Sequence, residues 1–523
     1  MKSNRRDFIK TAGISTIGLG LLPNFNLLGS EFSFLSETIL SRKSPESQGI
    51  SSKGILDFLK ATKESGLEWH SFMLLRHGHV VAEGWWKPFN AGFKHTLYSL
   101  SKSFTSTAIG FLVQEGKITV NDSVISFFKE ETPQYPTDNL KAMKIKHLLT
   151  MNTGHNTDTL PLMRESKEAW TKTFLAQEVK HEPSTHFLYN TGATYMLGAI
   201  VHKVTGQKLE DYLAPRLFQP LGITGYDWET SPQGLNTAGY GLRVKTEDIA
   251  KFGQFYLQKG KWNGKQILSE AWINEATSKQ TTSQAGDNDW SQGYGYQFWR
   301  CKPGFYRGDG AFGQFCMVMP EQDAVLVMTC ESFNLQKTMD VAYQTILPAI
   351  SNAVLPENSS DLALLEREIS TLSLPVPQGK TSSPLHAKYS DKLFAVEKNS
   401  YGITQVGFGL FEDAGVLRLN DGTGIKKIGF GWEKWRVNNN SPKNFFPVMG
   451  RTQVPSKMAA TATWVNTNTL QINIKFVEGV HGDKITCVFE DDKVSLFFMS
   501  SISENTKNTP EKRESLTGTL KKM

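Results

Sequence analysis

Ser99 and Lys102 stand three residues apart in the run Thr96-Leu97-Tyr98-Ser99-Leu100-Ser101-Lys102-Ser103-Phe104-Thr105, at the start of a small-residue helical pattern. That spacing puts a hydroxyl and an amine on one helix face. A serine hydroxyl is a weak nucleophile until a neighbour takes its proton, and a lysine shielded from water can do so. The pattern alone is common, and a polar helix start capped by Ser99 is the plain alternative. Such chemistry also needs a second proton carrier for the leaving group and two donors for the oxyanion. Tyr189, in Phe187-Leu188-Tyr189-Asn190-Thr191-Gly192, is the candidate carrier. A nearby lysine ammonium would lower its phenol pKa toward that of a useful base; otherwise Tyr189 is a half-buried loop aromatic. One oxyanion donor is the Ser99 amide. The other should come from an edge strand, and Gly308-Asp309-Gly310-Ala311-Phe312-Gly313-Gln314 suits this, because glycines let a backbone approach a substrate closely. The same glycines also fit a hairpin that holds no ligand.

The elements that position these groups follow from periodicity. Ile55, Phe58 and Leu59 predict a helix over residues 51–65, capped by Ser51 or Ser52. Ser71 to Trp86 reads as two strands around His77-Gly78-His79. The Ser99 helix continues to Gln114-Glu115-Gly116 and is backed by Ile109, Leu112 and Val113. Thr194 to Val204 is helical and stops at Thr205-Gly206. Thr246-Glu247-Asp248 starts another helix, with acids in its first turn. Trp290 to Cys301 and Gln314 to Thr329 read as strands, the latter folded at Pro320-Glu321-Gln322-Asp323. Strands at both ends with helices between them predict one sheet closed by the two ends of the domain, plus an inserted helical lobe. From about Leu393 the period becomes two: Leu470, Ile472, Ile474 and Phe476 alternate with Gln471, Asn473 and Lys475, as in an antiparallel module with one wet face.

The 523 residues exceed one core, so several domains are expected. The boundaries read as an export signal over 1–30, a mixed domain carrying Ser99 and Tyr189 over 31–355, a linker over 356–385 with a short helical pattern at Leu362, Leu364, Leu365 and Ile369, a β-rich domain over 386–505, and a polar, disordered tail over 506–523. The net charge of +6 is spread out with no basic block, which argues against nucleic-acid binding. A hydrophobic fraction of 39% is too low for an integral membrane protein. Asn4-Arg5-Arg6-Asp7-Phe8-Ile9-Lys10 precedes a short apolar run to Leu22, resembling a twin-arginine export signal and implying a periplasmic protein. Cys301, Cys316, Cys330 and Cys487 form no C-x-x-C pair, and buried free thiols are expected. No metal or cofactor is expected: His181 and His186 are five apart around Pro183, not in H-E-x-x-H spacing. No Gly-x-Ser-x-Gly elbow is present either.

In order, Ser99–Lys102, Tyr189–Thr191 and Gly308–Gly310 resemble the three motifs of the serine β-lactamase and penicillin-binding family, in its class C-like and esterase branch. His147–Gly154, Ala238–Leu242 and Gly293–Trp299 resemble recurrent segments of that family, and the likeness spans roughly residues 45 to 350. It implies an α+β fold, with an antiparallel sheet and a helical lobe, followed here by an all-β domain. It implies a covalent acyl-enzyme on Ser99, with Lys102 and Tyr189 managing protons and the amides of Ser99 and Ala311 holding the oxyanion. Thr191, Asp309, Gly310 and Trp299 would line the substrate. Two departures matter. Thr191 stands where the family often has asparagine. Gly308-Asp309-Gly310 lacks the cation that receives a substrate carboxylate, and Asp309 would repel one. Arg307 is aimed at the face opposite Gly308 by strand alternation. These departures favour an ester or amide, including peptide-like ones, without a carboxylate beside the scissile bond. The alternative is a penicillin-binding sensor or D-alanyl carboxypeptidase-like protein with slow deacylation.

Overall fold

The computed structural model describes residues 40–439, 456–507 and 509–521. Its first layer is a six-stranded antiparallel sheet of β1 (Glu68–Arg76), β2 (His79–Trp85), β3 (Trp299–Arg300), β4 (Tyr306–Gly310), β5 (Gln314–Met319) and β6 (Ala324–Glu331). The spatial order is β2-β1-β6-β5-β4-β3. Early and late strands therefore meet in the middle, with Phe72 opposite Met328, as the strands-at-both-ends pattern predicts. The hairpin turn falls at His77 and Gly78, both with positive φ.

Alternation along β1 divides the core in two. Phe72 and Leu74 pack with α1 (Ser52–Glu64), while Met73 and Leu75 face the helical lobe. In that lobe lie α2 (Ser101–Gln114), α3 (Thr191–Thr205) and α4 (Thr246–Leu257); α5 (Leu335–Ala349) covers the outer face beside α1. The Ser51 hydroxyl caps α1 by accepting from the Gly54 amide at 3.3 Å.

Three expectations change. Of Trp290 to Cys301, only Trp299–Arg300 is strand. Gly293 and Gln297 take left-handed φ, and the Gly295 amide donates back to Phe298 O at 2.8 Å, so the chain loops where a strand was expected. The short helical pattern read within the linker is present as α6 (Ser359–Thr371), but the segment is packed on the domain: Leu365 is buried in the α1 core, and beyond it the Leu374 amide donates to Lys87 O at 2.7 Å. The tail expected to be disordered supplies a strand, Leu516–Leu520, which pairs on both sides inside the second sheet.

That second sheet has ten strands: β7 (Leu393–Val396), β8 (Gln405–Leu410), β9 (Ala414–Asn420), β10 (Ile425–Trp432), β11 (Arg436–Asn438), β12 (Met458–Trp464), β13 (Thr469–Phe476), β14 (Gly482–Glu490), β15 (Lys493–Ser500) and β16 (Leu516–Leu520). The order β10-β9-β8-β7-β16-β15-β14-β13-β12-β11 closes into a barrel where β10 pairs with β12, so no long edge is left open. Leu470, Ile472, Ile474 and Phe476 are buried inside it, as their period of two requires.

All four cysteines are free and buried. Among the described residues no helix is long and apolar enough to cross a membrane. Residues 1–30, expected to be an export signal, lie outside the described residues.

Candidate active site

Ser99 sits in a single 3₁₀ turn, Tyr98–Leu100, that leads directly into α2. Lys102 follows in the first helical turn and is 1% exposed. Its Nζ donates to Ser99 Oγ at 3.0 Å, to Gly239 O at 2.8 Å and to Thr191 Oγ1 at 3.4 Å. Burial pulls the Lys102 amine down to about 7, against the opposing fields of Asp158 and Asp309. Near neutral pH a large share of this lysine is the free amine, which has a lone pair to accept a proton.

Tyr189 enters from the loop before α3. Its phenol hydrogen-bonds the Ser99 hydroxyl, and the Lys102 Nζ lies 4.8 Å from its ring centroid. The structure thus brings the hydroxyl, amine and phenol together. The direction of the phenol's shift is a correction to the sequence expectation. Burial, then the Asp309 carboxylate, push Tyr189 above its ordinary range, and the Ser99 hydrogen bond offsets only part of this. Burial thus favours the protonated phenol at Tyr189 and draws the Lys102 amine toward its neutral form.

Asn190 does structural work. Its Oδ1 caps α3 through the Ala193 amide at 3.3 Å and accepts from Thr159 Oγ1 at 2.7 Å. Thr191 is held by its amide, which donates to Asp158 Oδ1 at 2.9 Å. The Thr191 hydroxyl keeps one contact with Lys102 at the position where the family often has asparagine.

Strand β4 runs flush against the nucleophile's turn. A Cβ at Gly310 would lie 2.1 Å from Leu97 O, and one at Gly308 would lie 2.3 Å from Leu100 Cδ1. At Gly310 the obstacle is the Leu97 backbone itself, so only glycine allows this approach of β4 to the turn that holds Ser99. Gly310→Ala is expected to destabilise the fold by about 1–3 kcal/mol and to lower ester turnover more steeply than stability, because β4 must retreat from Leu97. Urea midpoints and initial rates measured side by side would check this; a variant with native turnover would contradict the close approach.

Asp309 is not the free anion that its sequence suggests. Arg307 lies two residues back on the same face, and its Nε donates to Asp309 Oδ2 at 3.2 Å. Trp290 Nε1 donates to the same oxygen at 3.1 Å. Burial raises the Asp309 carboxyl, while Arg307 and Trp290 pull it back. The repulsion expected toward a substrate carboxylate is therefore blunted by the paired guanidinium, which is itself fully buried.

Trp299, expected to line the substrate, is 7% exposed and stacks on the Tyr189 ring, with centroids 5.6 Å apart and planes 18° apart. It backs the phenol.

Sequence reasoning missed two contributors. Asp158 anchors the Thr191 amide and sets part of the field on Lys102, yet it is an isolated acid in a loop with no spacing to mark it. Gln297 is buried, its side chain donating to Leu148 O and Leu149 O and accepting from Thr194 Oγ1, while its carbonyl accepts from Ser103 Oγ. It ties α2 and α3 together through Ser103 and Thr194.

Comparison with known proteins places the chain among hydrolase relatives. The 6-aminohexanoate-dimer hydrolase of Paenarthrobacter ureafaciens is 24% identical over 282 residues, 49% of this chain and 71% of the relative. Protein flp of Staphylococcus aureus (strain COL) is 27% identical over 165 residues, 30% of this chain and 33% of the relative, so the chain spans about a third of that protein's length. Among solved structures, the octameric penicillin-binding protein homologue from Pyrococcus abyssi superposes with a TM-score of 0.46 at 16% identity, covering 89% of this chain and 99% of that one. The family model described as Beta-lactamase matches residues 63–349, more than half of the 523, and the chain therefore belongs to the Beta-lactamase family.

Proposed function

We propose that this protein is a serine hydrolase that forms an acyl-enzyme on Ser99 from an ester or amide with no carboxylate beside the scissile bond. The observation that carries the reading is a desolvated Lys102, brought down to about 7, at 3.0 Å from a hydroxyl that also contacts a protonated phenol. In the acylation step, neutral Lys102 takes the Ser99 proton as Oγ attacks the carbonyl carbon. The amides of Ser99 and Ala311 receive the oxyanion. Tyr189 gives its proton to the leaving oxygen or nitrogen as the bond to carbon breaks, and the Lys102 ammonium restores it. A water then attacks the acyl carbon and gives its proton to Lys102, and Ser99 leaves with a proton restored through the same pair. Acid–base catalysis of this kind typically contributes about 10²–10⁴-fold.

The substrate class is supported by what lines the pocket. The cation of the family's third motif is replaced by Gly308, and Arg307 is already engaged by Asp309. The Paenarthrobacter relative is named for hydrolysis of a 6-aminohexanoate dimer, which supports including linear amides in the search.

A fluorophosphonate probe and a panel of p-nitrophenyl esters, short linear amide oligomers, D-alanyl peptides and nitrocefin test the reading. The expected result is labelling of the Ser99 peptide, seen by mass spectrometry, with ester or amide turnover well above that of nitrocefin. Stable labelling by a fluorescent penicillin with no turnover of the panel would replace this reading with a slow-deacylating sensor.

A further inference from the structure

Two non-glycine residues beside the proposed oxyanion donors hold left-handed backbone: Tyr98, just before Ser99, at φ 48°, and Phe312, just after Ala311, at φ 64°. Side chains rarely adopt this region, and they stay there only where the surroundings impose it. Here one ring from the C-terminal barrel meets both. His481, at the start of β14's hairpin, places Nε2 2.7 Å from the Tyr98 hydroxyl. Its imidazole stands perpendicular to the Phe312 ring, with centroids 4.5 Å apart. Tyr98 and Phe312 are themselves 5.5 Å apart, centroid to centroid.

The histidine is held from behind. Its Nδ1 lies 2.7 Å from Glu331 Oε1 at the end of β6. Glu331 also accepts from Lys475 Nζ at 3.1 Å and from the Ser501 hydroxyl. In the imidazole tautomer that donates from Nδ1 to the Glu331 carboxylate, Nε2 is the acceptor for the Tyr98 O–H. Burial keeps that phenol above its ordinary range, which preserves the donor. A second tether lies alongside: Thr96 Oγ1 donates to Glu478 O at 3.3 Å, on the same barrel hairpin.

We propose that His481 is a positioning residue for the hydrolase: by gripping Tyr98 and Phe312 it sets the amides of Ser99 and Ala311, so the barrel is a working part of the active site. The inference rests on the acyl-enzyme reading and its oxyanion hole. The barrel's contribution is then to the transition state and not to substrate affinity.

The test compares His481→Ala, His481→Gln and Tyr98→Phe with the wild type. Readouts are kcat and KM on p-nitrophenyl butyrate, affinity for a phenylboronic acid, the rate of fluorophosphonate labelling, and thermal melting. His481→Ala and Tyr98→Phe are expected to lower kcat by about 10–100-fold, toward the loss seen when an oxyanion donor is removed, with KM within about twofold. Boronate affinity should fall in parallel, and His481→Gln, which can still accept from Tyr98, should recover part of the loss. If His481→Ala does not fold, Tyr98→Phe decides, because it deletes one oxygen. Native kcat and boronate affinity in a folded Tyr98→Phe or His481→Ala variant would overturn the positioning role alone. A wild type that takes no fluorophosphonate label, with Ser99→Ala as active as the wild type, would overturn the parent reading and this inference with it.

Discussion

Ser99→Ala is expected to lower kcat on esters by on the order of 10⁴-fold or more, with Lys102→Met close behind and the double variant no worse than either alone. Groups that act as one unit lose their effect together, so their penalties do not add. The physical basis is the shared proton. The Lys102 amine lies 3.0 Å from Ser99 Oγ, while burial favours the protonated form of Tyr189. In the wild type, kcat/KM is expected to rise with pH through about 7, because the ammonium that predominates below that pH cannot accept the proton. An activity profile flat from pH 5.5 to 8.5 would remove Lys102 as the base. The same burial carries a stability cost. Keeping a lysine at about 7 rather than its ordinary 10.5 costs the fold about 5 kcal/mol at and below neutral pH. That cost shrinks as pH rises toward the unfolded value, where both states are neutral. Lys102→Met should thus stabilise the protein at pH 7 by about 2–4 kcal/mol, after about 1–3 kcal/mol is lost to the orphaned Gly239 carbonyl. Urea denaturation of the inactive variant checks this, and a lower midpoint than the wild type would contradict the desolvation argument.

Lys475→Met is expected to be the most damaging substitution outside the catalytic groups. Its ammonium sits between two carboxylates, 2.6 Å from Glu68 Oε1 and 3.1 Å from Glu331 Oε2, and joins β13 of the barrel to the end of the first sheet. Removing one partner of a buried ionic cluster leaves uncompensated charge and costs about 3–5 kcal/mol. The urea midpoint should fall accordingly. Adding Glu68→Gln and Glu331→Gln should recover much of it, because neutral amides tolerate the missing cation. If the single variant melts like the wild type, the cluster does not hold the two parts together. The cluster also sets an acid limit. Burial pushes the Glu331 carboxyl up, but His481, Lys475 and Ser501 together hold it well below its usual range. A depressed carboxyl contributes stability that is fully present above its unfolded pKa, near 4.5, and is lost as pH falls below that toward the folded value. Equilibrium unfolding should therefore become easier below about pH 4.5, and the triple variant should show a shallower acid dependence.

Local spacing made much of the site readable. The i, i+3 separation of Ser99 and Lys102 puts both on one side of the continuous 3₁₀ turn and first turn of α2. The hydroxyl of Ser51 before an apolar helical run, Gly206 after one, and the two-residue period of Leu470 to Phe476 each act within a few residues of chain. Their consequences survived folding because they need only backbone geometry and one buried face. The strand over Trp290 to Cys301 did not survive, because Gln297 finds its partners on Leu148, Leu149 and Thr194, and meeting them bends the chain. The strand Leu516–Leu520 was unreadable for a related reason: a short, weakly apolar segment becomes a strand only when β7 and β15 stand on either side to complete its ladder.

The sequence by itself determined the order of chemical groups, the helix that follows Ser99 and carries Lys102, and the division into a mixed domain and an antiparallel β domain. Only the tertiary structure decided that burial pulls the Lys102 amine down while pushing the Tyr189 phenol up, that Asp309 is answered by Arg307, and that His481 lies against Tyr98 from 383 positions away. The reason is range. Hydrogen-bond ladders and helix faces are set by neighbours in the chain. A proton affinity is set by every element that excludes water from the group, and those elements meet only once the chain has folded.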